Sequence, residues 1–234
     1  MRLKLNRMSI QSFHPNILKG LAMTAALYYL FDPLCGWCYG AVPALTELKA
    51  ANVAIKLLPT GIFAGPGGRA MDDDFAKFAW TNDQRIHRIS GQPFTEQYRS
   101  AVLADRQQPF DSGPASQALT AVAMTSPAHE MTALKAIQRA RFVDGRNVTD
   151  GPTLRAILTE IGLSDAADAL AQASQALTDA HDRRFGEAMA LMRQFHAQGV
   201  PTFIGVSATR QWLLDASGMY AEPHVLLRQL QDSD

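Results

Sequence analysis

Apolar and aromatic side chains run without a break through residues 25–32, Ala-Ala-Leu-Tyr-Tyr-Leu-Phe-Asp, which is the pattern of a central strand covered on both faces. Pro33 ends it. Val42, Leu45 and Leu48 then recur at helical spacing between about Gly36 and Ala51. From Val53 to Leu58 the apolar positions form a second strand. Strand, helix and strand in that order predict a βαβ unit with parallel strands and a right-handed crossover.

The stretch Gly61–Gly68 is glycine-rich and contains Pro66, and beyond it the periodicity is helical. Asp72, Asp73 and Asp74 suit the start of a helix that carries Phe75, Phe78 and Ile86 on one face and stops at Gly91. Further helices are expected over 94–103, 114–125 and 128–143. After the loop Asp144-Gly145-Arg146-Asn147 come three more, near 153–161, 165–177 and 179–197, each opened by a Thr, Asp or Ser cap. Strand character returns at Thr202–Val206 and at 211–214, as in a hairpin, and a last helix is expected over 222–231. The fold class is therefore α/β. A small α/β domain, residues 23–63 and 199–234, is interrupted by an all-helical insertion over 64–198 and preceded by an extension, 1–22.

Composition narrows the function classes. With 47% hydrophobic and 19% charged residues among 234, the chain can bury a core. Lys plus Arg number 22 and Asp plus Glu number 22, so the basic excess of a nucleic-acid binder is missing. No uninterrupted apolar run reaches the ~18 residues of a spanning helix, so neither nucleic acid nor membrane is expected as a partner. Arg2, Lys4 and Arg7 ahead of the patchy apolar stretch 17–31 could be read as a secretory signal. Lys19 interrupts that stretch, and cleavage would shorten the first strand. The expected location is cytoplasmic, with Met23 a candidate initiator and a periplasmic or secreted protein the alternative.

The chain has two cysteines, and both lie where the first strand hands over to a helix, as Cys35-Gly36-Trp37-Cys38. At a helix amino terminus unpaired N–H groups favour a thiolate, so Cys35 should have a lowered pKa and act as nucleophile, with Cys38 one turn further in as the resolving thiol. A purely structural disulfide across so short a loop would remove little chain entropy. Zinc would need two more ligands, and the six histidines show no paired spacing. Gly65-Pro66-Gly67-Gly68-Arg69-Ala70 matches a dinucleotide fingerprint formally, but helices follow it rather than a second βαβ strand. A hinge into the insertion is the better reading.

Val200-Pro201 stands at the mouth of the returning strand, ahead of Thr202. A cis bond there would leave the Val200 backbone free to pair with an extended substrate segment beside the cysteines, with Gly36, Trp37, Pro201 and Thr202 completing the binding surface.

Asp32-Pro33-Leu34-Cys35-Gly36-Trp37-Cys38-Tyr39-Gly40, the helical insertion and Gly199-Val200-Pro201-Thr202 together resemble the DsbA family of thioredoxin-fold oxidoreductases, nearest its FrnE-like, protein-disulfide-isomerase branch. The likeness spans about residues 24–232. It implies a thioredoxin-like fold with a helical insertion. Cys35 would attack, Cys38 resolve, and Pro201 be cis. It also implies family roles for Asp111-Ser112-Gly113-Pro114 and Val143-Asp144-Gly145-Arg146, structural rather than chemical. The chain departs from its relatives in three ways. Gly36-Trp37 replaces the Pro-His of the strongly oxidising members, Tyr29 stands where relatives have a buried acid, and the extra cysteines with which some FrnE-type proteins support a two-disulfide relay are missing. Asp32 is then the only nearby carboxylate expected, and the proton acceptor of Cys38 is left open.

The implied activity is a thiol-disulfide oxidoreductase or isomerase acting on disulfide- or thiol-bearing proteins or small molecules. No cofactor is expected beyond the redox-active pair, with glutathione a candidate reductant. The first rival is a glutathione-dependent isomerase or transferase resembling 2-hydroxychromene-2-carboxylate isomerase, whose relatives usually lack the second cysteine. The second is a non-catalytic binding module using the groove between Trp37, Pro201 and the insertion.

Overall fold

The computed structural model describes residues 26–232, so the extension 1–22 and Met23 lie outside the described residues. Strand β1 (Ala26–Phe31) is buried along its whole length. It pairs in parallel with β2 (Ala54–Pro59) and antiparallel with β3 (Thr202–Val206), which pairs antiparallel with β4 (Gln211–Leu213). The sheet order is β2-β1-β3-β4, so β1, the strand that leads into the cysteines, is interior.

Alternation along β1 feeds two cores. Leu27, Tyr29 and Phe31 face the larger cluster, which also holds Cys38, Leu45, Leu48, Phe203 and the insertion's apolar side chains. Tyr28 and Leu30 face the smaller one, with Leu58, Ile204, Ala188, Leu191 and Met192.

Between β1 and β2 the single expected helix is two, α1 (Gly36–Gly40) and α2 (Val42–Ala50). The cause is Pro43. It has no N–H to continue α1 but fits the first turn of a new helix. After the glycine-rich loop come α3 (Asp73–Ser90), capped by Asp72 accepting from the Phe75 N–H at 2.7 Å and stopped by left-handed Gly91, then α4 (Glu96–Tyr98). Residues 94–95 are not helical, and α4 runs into π-helical turns at Arg99–Leu103.

The insertion continues with α5 (Gly113–Thr125), α6 (Glu130–Phe142), α7 (Gly151–Glu160), α8 (Ser164–Gln172) and α9 (Gln175–Gln194). The expected break between 177 and 179 lies earlier, because Ser174 rather than Thr178 caps the last helix, accepting from the Leu177 N–H. Helix α9 is shared. Its first half, with Leu177, packs in the helical layer, while Ala188, Leu191 and Met192 cover the sheet. Lys56 of β2 pairs with Glu187 of α9 at 2.6 Å. The closing helix α10 (Val225–Gln231) starts three residues later than expected, after turns at 217–224. Among the described residues no helix is long and apolar enough to cross a membrane.

Candidate active site

Cys35 is the N-cap of α1. Its Sγ accepts the Cys38 N–H at 3.4 Å, and its own S–H points to the Val200 carbonyl at 3.7 Å. Both cysteines are free thiols. Cys35 keeps 7% of its surface exposed and Cys38 none, so an incoming sulfur reaches Cys35 first. Asp32 holds the turn between strand and helix: its carbonyl accepts the Cys35 N–H at 3.1 Å, and its Oδ1 accepts the Leu34 N–H at 2.9 Å.

Val200–Pro201 is a cis peptide. Thr202 is buried, donating from Oγ1 to the Gly199 carbonyl at 2.7 Å. Val200, Pro201 and Thr202 also line a cleft of about 410 Å³ with Leu213 and Leu214. The residues singled out from the sequence therefore converge: Gly36 and Trp37 on α1, Val200 against Cys35, Pro201 and Thr202 behind it. Trp37 both packs and faces solvent. Half-buried, it meets Tyr220 edge-on at 5.2 Å, and the Arg85 guanidinium lies 5.6 Å from its ring centre.

Beneath the pair the surroundings are dry. Burial pushes the Cys38 thiol well above its ordinary range; the bond to Cys35 and the charges of Cys35 and Asp32 act the same way, against one backbone N–H of Asp32. Tyr29 is fully buried and donates to the Cys38 carbonyl at 3.2 Å. Burial, reinforced by the two cysteines, also pushes its phenol well above 10, so it is no proton acceptor near neutrality. Asp32 is completely buried. Burial lifts its carboxyl from 3.8 to about 6 despite donors from Ser112 Oγ at 2.6 Å, Leu34 and Phe63.

The Ser112 contact is made by the helical insertion. So is another that the sequence reading missed. Asp83 of α3, 5% exposed, occupies the space that a side chain on Gly36 would need, and Ile86 does the same at Gly36 and Gly40. Asp32 is therefore not the sole carboxylate near the motif. Asp83 Oδ2 accepts the Tyr98 hydroxyl at 3.0 Å, and Arg141, 2% exposed, has its guanidinium 5.6 Å from the Tyr98 ring centre. The usable signal was the Gly36/Gly40 pair four apart, a sign of close helix approach. Nothing local marked Asp83 or Arg141.

The profile of the DSBA-like thioredoxin domain matches residues 27–213, most of the chain. The chain belongs to the DsbA family. Among solved structures, this DsbA-family protein is similar to one described as the cytosolic disulfide reductase DsbM from Pseudomonas aeruginosa. It shares 29% identity over 89% of this chain and 98% of that one, with a TM-score of 0.79. A second structure, of the same protein with GSH, gives 30% identity, the same coverage and a TM-score of 0.76. A 2-hydroxychromene-2-carboxylate isomerase matches at 18% identity over 89% of this chain and 99% of that one, with a TM-score of 0.56, a likeness of fold alone. No curated protein sequence matches. The DsbA-family chain is a disulfide oxidoreductase, and its Cys-x-x-Cys pair sits at the family's strand-to-helix junction.

Proposed function

We propose that this oxidoreductase works as a cytoplasmic disulfide reductase recharged by glutathione. The observation that carries it is the stacking of the two thiols, with Cys35 the more exposed of the two and against Val200, and Cys38 sealed one turn below. Cys35 thiolate attacks a substrate disulfide, forming a mixed disulfide and expelling one substrate thiolate. Cys38 then attacks the Cys35 sulfur, releasing the second substrate thiol and leaving the Cys35–Cys38 disulfide. Two electrons have passed to the substrate. Two glutathiones restore the dithiol by the same exchange, through a Cys35–glutathione mixed disulfide, and leave as glutathione disulfide.

Cys38 must lose a proton to attack. Asp32 is the carboxylate whose charge it feels, and it titrates near 6, well below the thiol. Transfer to Asp32 is therefore uphill and accompanies sulfur–sulfur bond formation as general base catalysis. On the binding side, substrate is taken up along Val200, Pro201 and Thr202, which line a cleft with Leu213 and Leu214, and by Gly36 and Trp37 next to Cys35. The Gly36-Trp37 dipeptide, with no imidazole to hold a thiolate, favours a reductant over a strong oxidant. The relatives described as a cytosolic reductase and as bound to GSH support the compartment and the small thiol. Cys38 supports two-sulfur exchange over a one-sulfur isomerase.

Insulin reduction driven by glutathione tests the proposal. Wild type should be active, Cys35→Ser inactive, and Cys38→Ser should accumulate a Cys35–glutathione adduct visible by mass spectrometry. Unimpaired turnover in both variants would overturn the redox reading, and turnover with other reductants but not glutathione would overturn the choice of thiol.

A further inference from the structure

Exchange chemistry leaves one buried acid of the site without a role. Asp83 enters from the helical insertion and ends against the peptide backbone that joins the two cysteines. It lies so close that any side chain on Gly36 would have to displace it. Its other oxygen is held by Tyr98 of α4, and behind Tyr98 stands the buried Arg141 of α6. Three helices of the insertion thus cooperate to present one carboxyl to the redox motif. A solvated carboxylate would do little there, but one shielded from water acts at a much lower effective dielectric.

We propose that Asp83 is a positioning residue for the redox balance of the Cys35–Cys38 pair. Ionised, it opposes a thiolate on Cys35, weights the pair toward the disulfide and makes the dithiol the stronger reductant. Protonated, it releases that bias. The inference concerns the pair itself and does not depend on glutathione being its partner.

The charged and titratable groups that bear on Asp83 are Tyr98 and Arg141; its Oδ1 abuts Gly36, between the two cysteines, and on its own helix Arg85 lies over Trp37. Burial raises the Asp83 carboxyl to about 7, against the pull of the Tyr98 hydroxyl and the Arg141 charge, so its charge changes near neutral pH.

The test uses the full chain and two substitutions. In Asp83→Asn, alkylation of Cys35 by iodoacetamide just above neutral pH should rise about tenfold while Cys38 stays protected. Equilibrium in a glutathione redox buffer should move about tenfold toward the dithiol, about 30 mV. Tyr98→Phe keeps the carboxyl but removes a donor that holds it ionised, so both readouts should move the same way. In the wild-type disulfide form, where no thiol titrates, the Gly36 amide resonance should show an inflection near pH 7 that Asp83→Asn lacks. Should Asp83→Asn not fold, the Tyr98→Phe and wild-type measurements decide. Unchanged alkylation and equilibrium in the folded variants, a flat Gly36 resonance, or equal unmasking of Cys38 would overturn the proposal.

Discussion

Ser112→Ala removes a single hydroxyl, and its consequence can be worked out in sign and size. Ser112 is fully buried and donates to Asp32 Oδ2 at 2.6 Å, joining the insertion to the residue that sets the cysteine turn. Asp32 titrates at about 6 when folded and 3.8 ordinarily, so between those values the native state binds more protons than the unfolded chain. Stability is then highest below the unfolded value and falls as pH rises through the folded one, by about 3 kcal/mol at 1.36 kcal/mol per pH unit. The Ser112 hydroxyl limits this loss because it bonds more strongly to the carboxylate than to the neutral acid. A hydrogen bond to a charged group contributes about 1.5–3 kcal/mol and one to a neutral group about 1 kcal/mol. Urea unfolding of the reduced protein should show Ser112→Ala costing about 2–3 kcal/mol near pH 8 and about 1 kcal/mol near pH 4. Equal costs at the two pH values, or a larger cost in acid, would refute the electrostatic account and leave Ser112 a packing residue.

Two more substitutions probe the scaffold. Gly36→Ala drives a methyl group into Asp83 and Ile86 and should cost about 1–3 kcal/mol by urea unfolding, as overpacking does; a neutral result would mean that α3 yields freely. Arg184 donates to Glu130, to the Leu57 carbonyl and to Thr120 Oγ1, all well inside the molecule. Arg184→Leu should therefore cost about 3–5 kcal/mol near pH 8, less in acid where the already raised Glu130 carboxyl is neutral, and a pH-independent cost would count against a stranded charge.

What could be read from the sequence was what local chemistry encodes. The two cores flanking β1, the parallel β1–β2 pair and the β3–β4 hairpin follow from runs and alternation, and the cysteine spacing at a strand-to-helix junction leads to Cys35 and Cys38. Pro43 was visible too, but the apolar spacing of Val42, Leu45 and Leu48 ran across it and hid the break at Ala41. The α8–α9 junction was misplaced because Ser174 and Thr178 are equally good caps in isolation; tertiary packing chose between them. Asp83, Arg141 and the Ser112–Asp32 bond were illegible for another reason. Each acts on a group far along the chain, and a carboxylate inside an amphipathic helix looks solvated until its neighbour is known.

Helix α9 reaches from the insertion to the sheet, and that has a consequence for how the chain is divided. Excising residues 64–198 as a module would strip the cover from Tyr28, Leu30 and Ile204 and leave Lys56 without Glu187. What remained would be a half-naked sheet rather than a smaller enzyme. The two layers gain and lose their order together, so any graft that exchanges the insertion for another must bring along a roof for the strands.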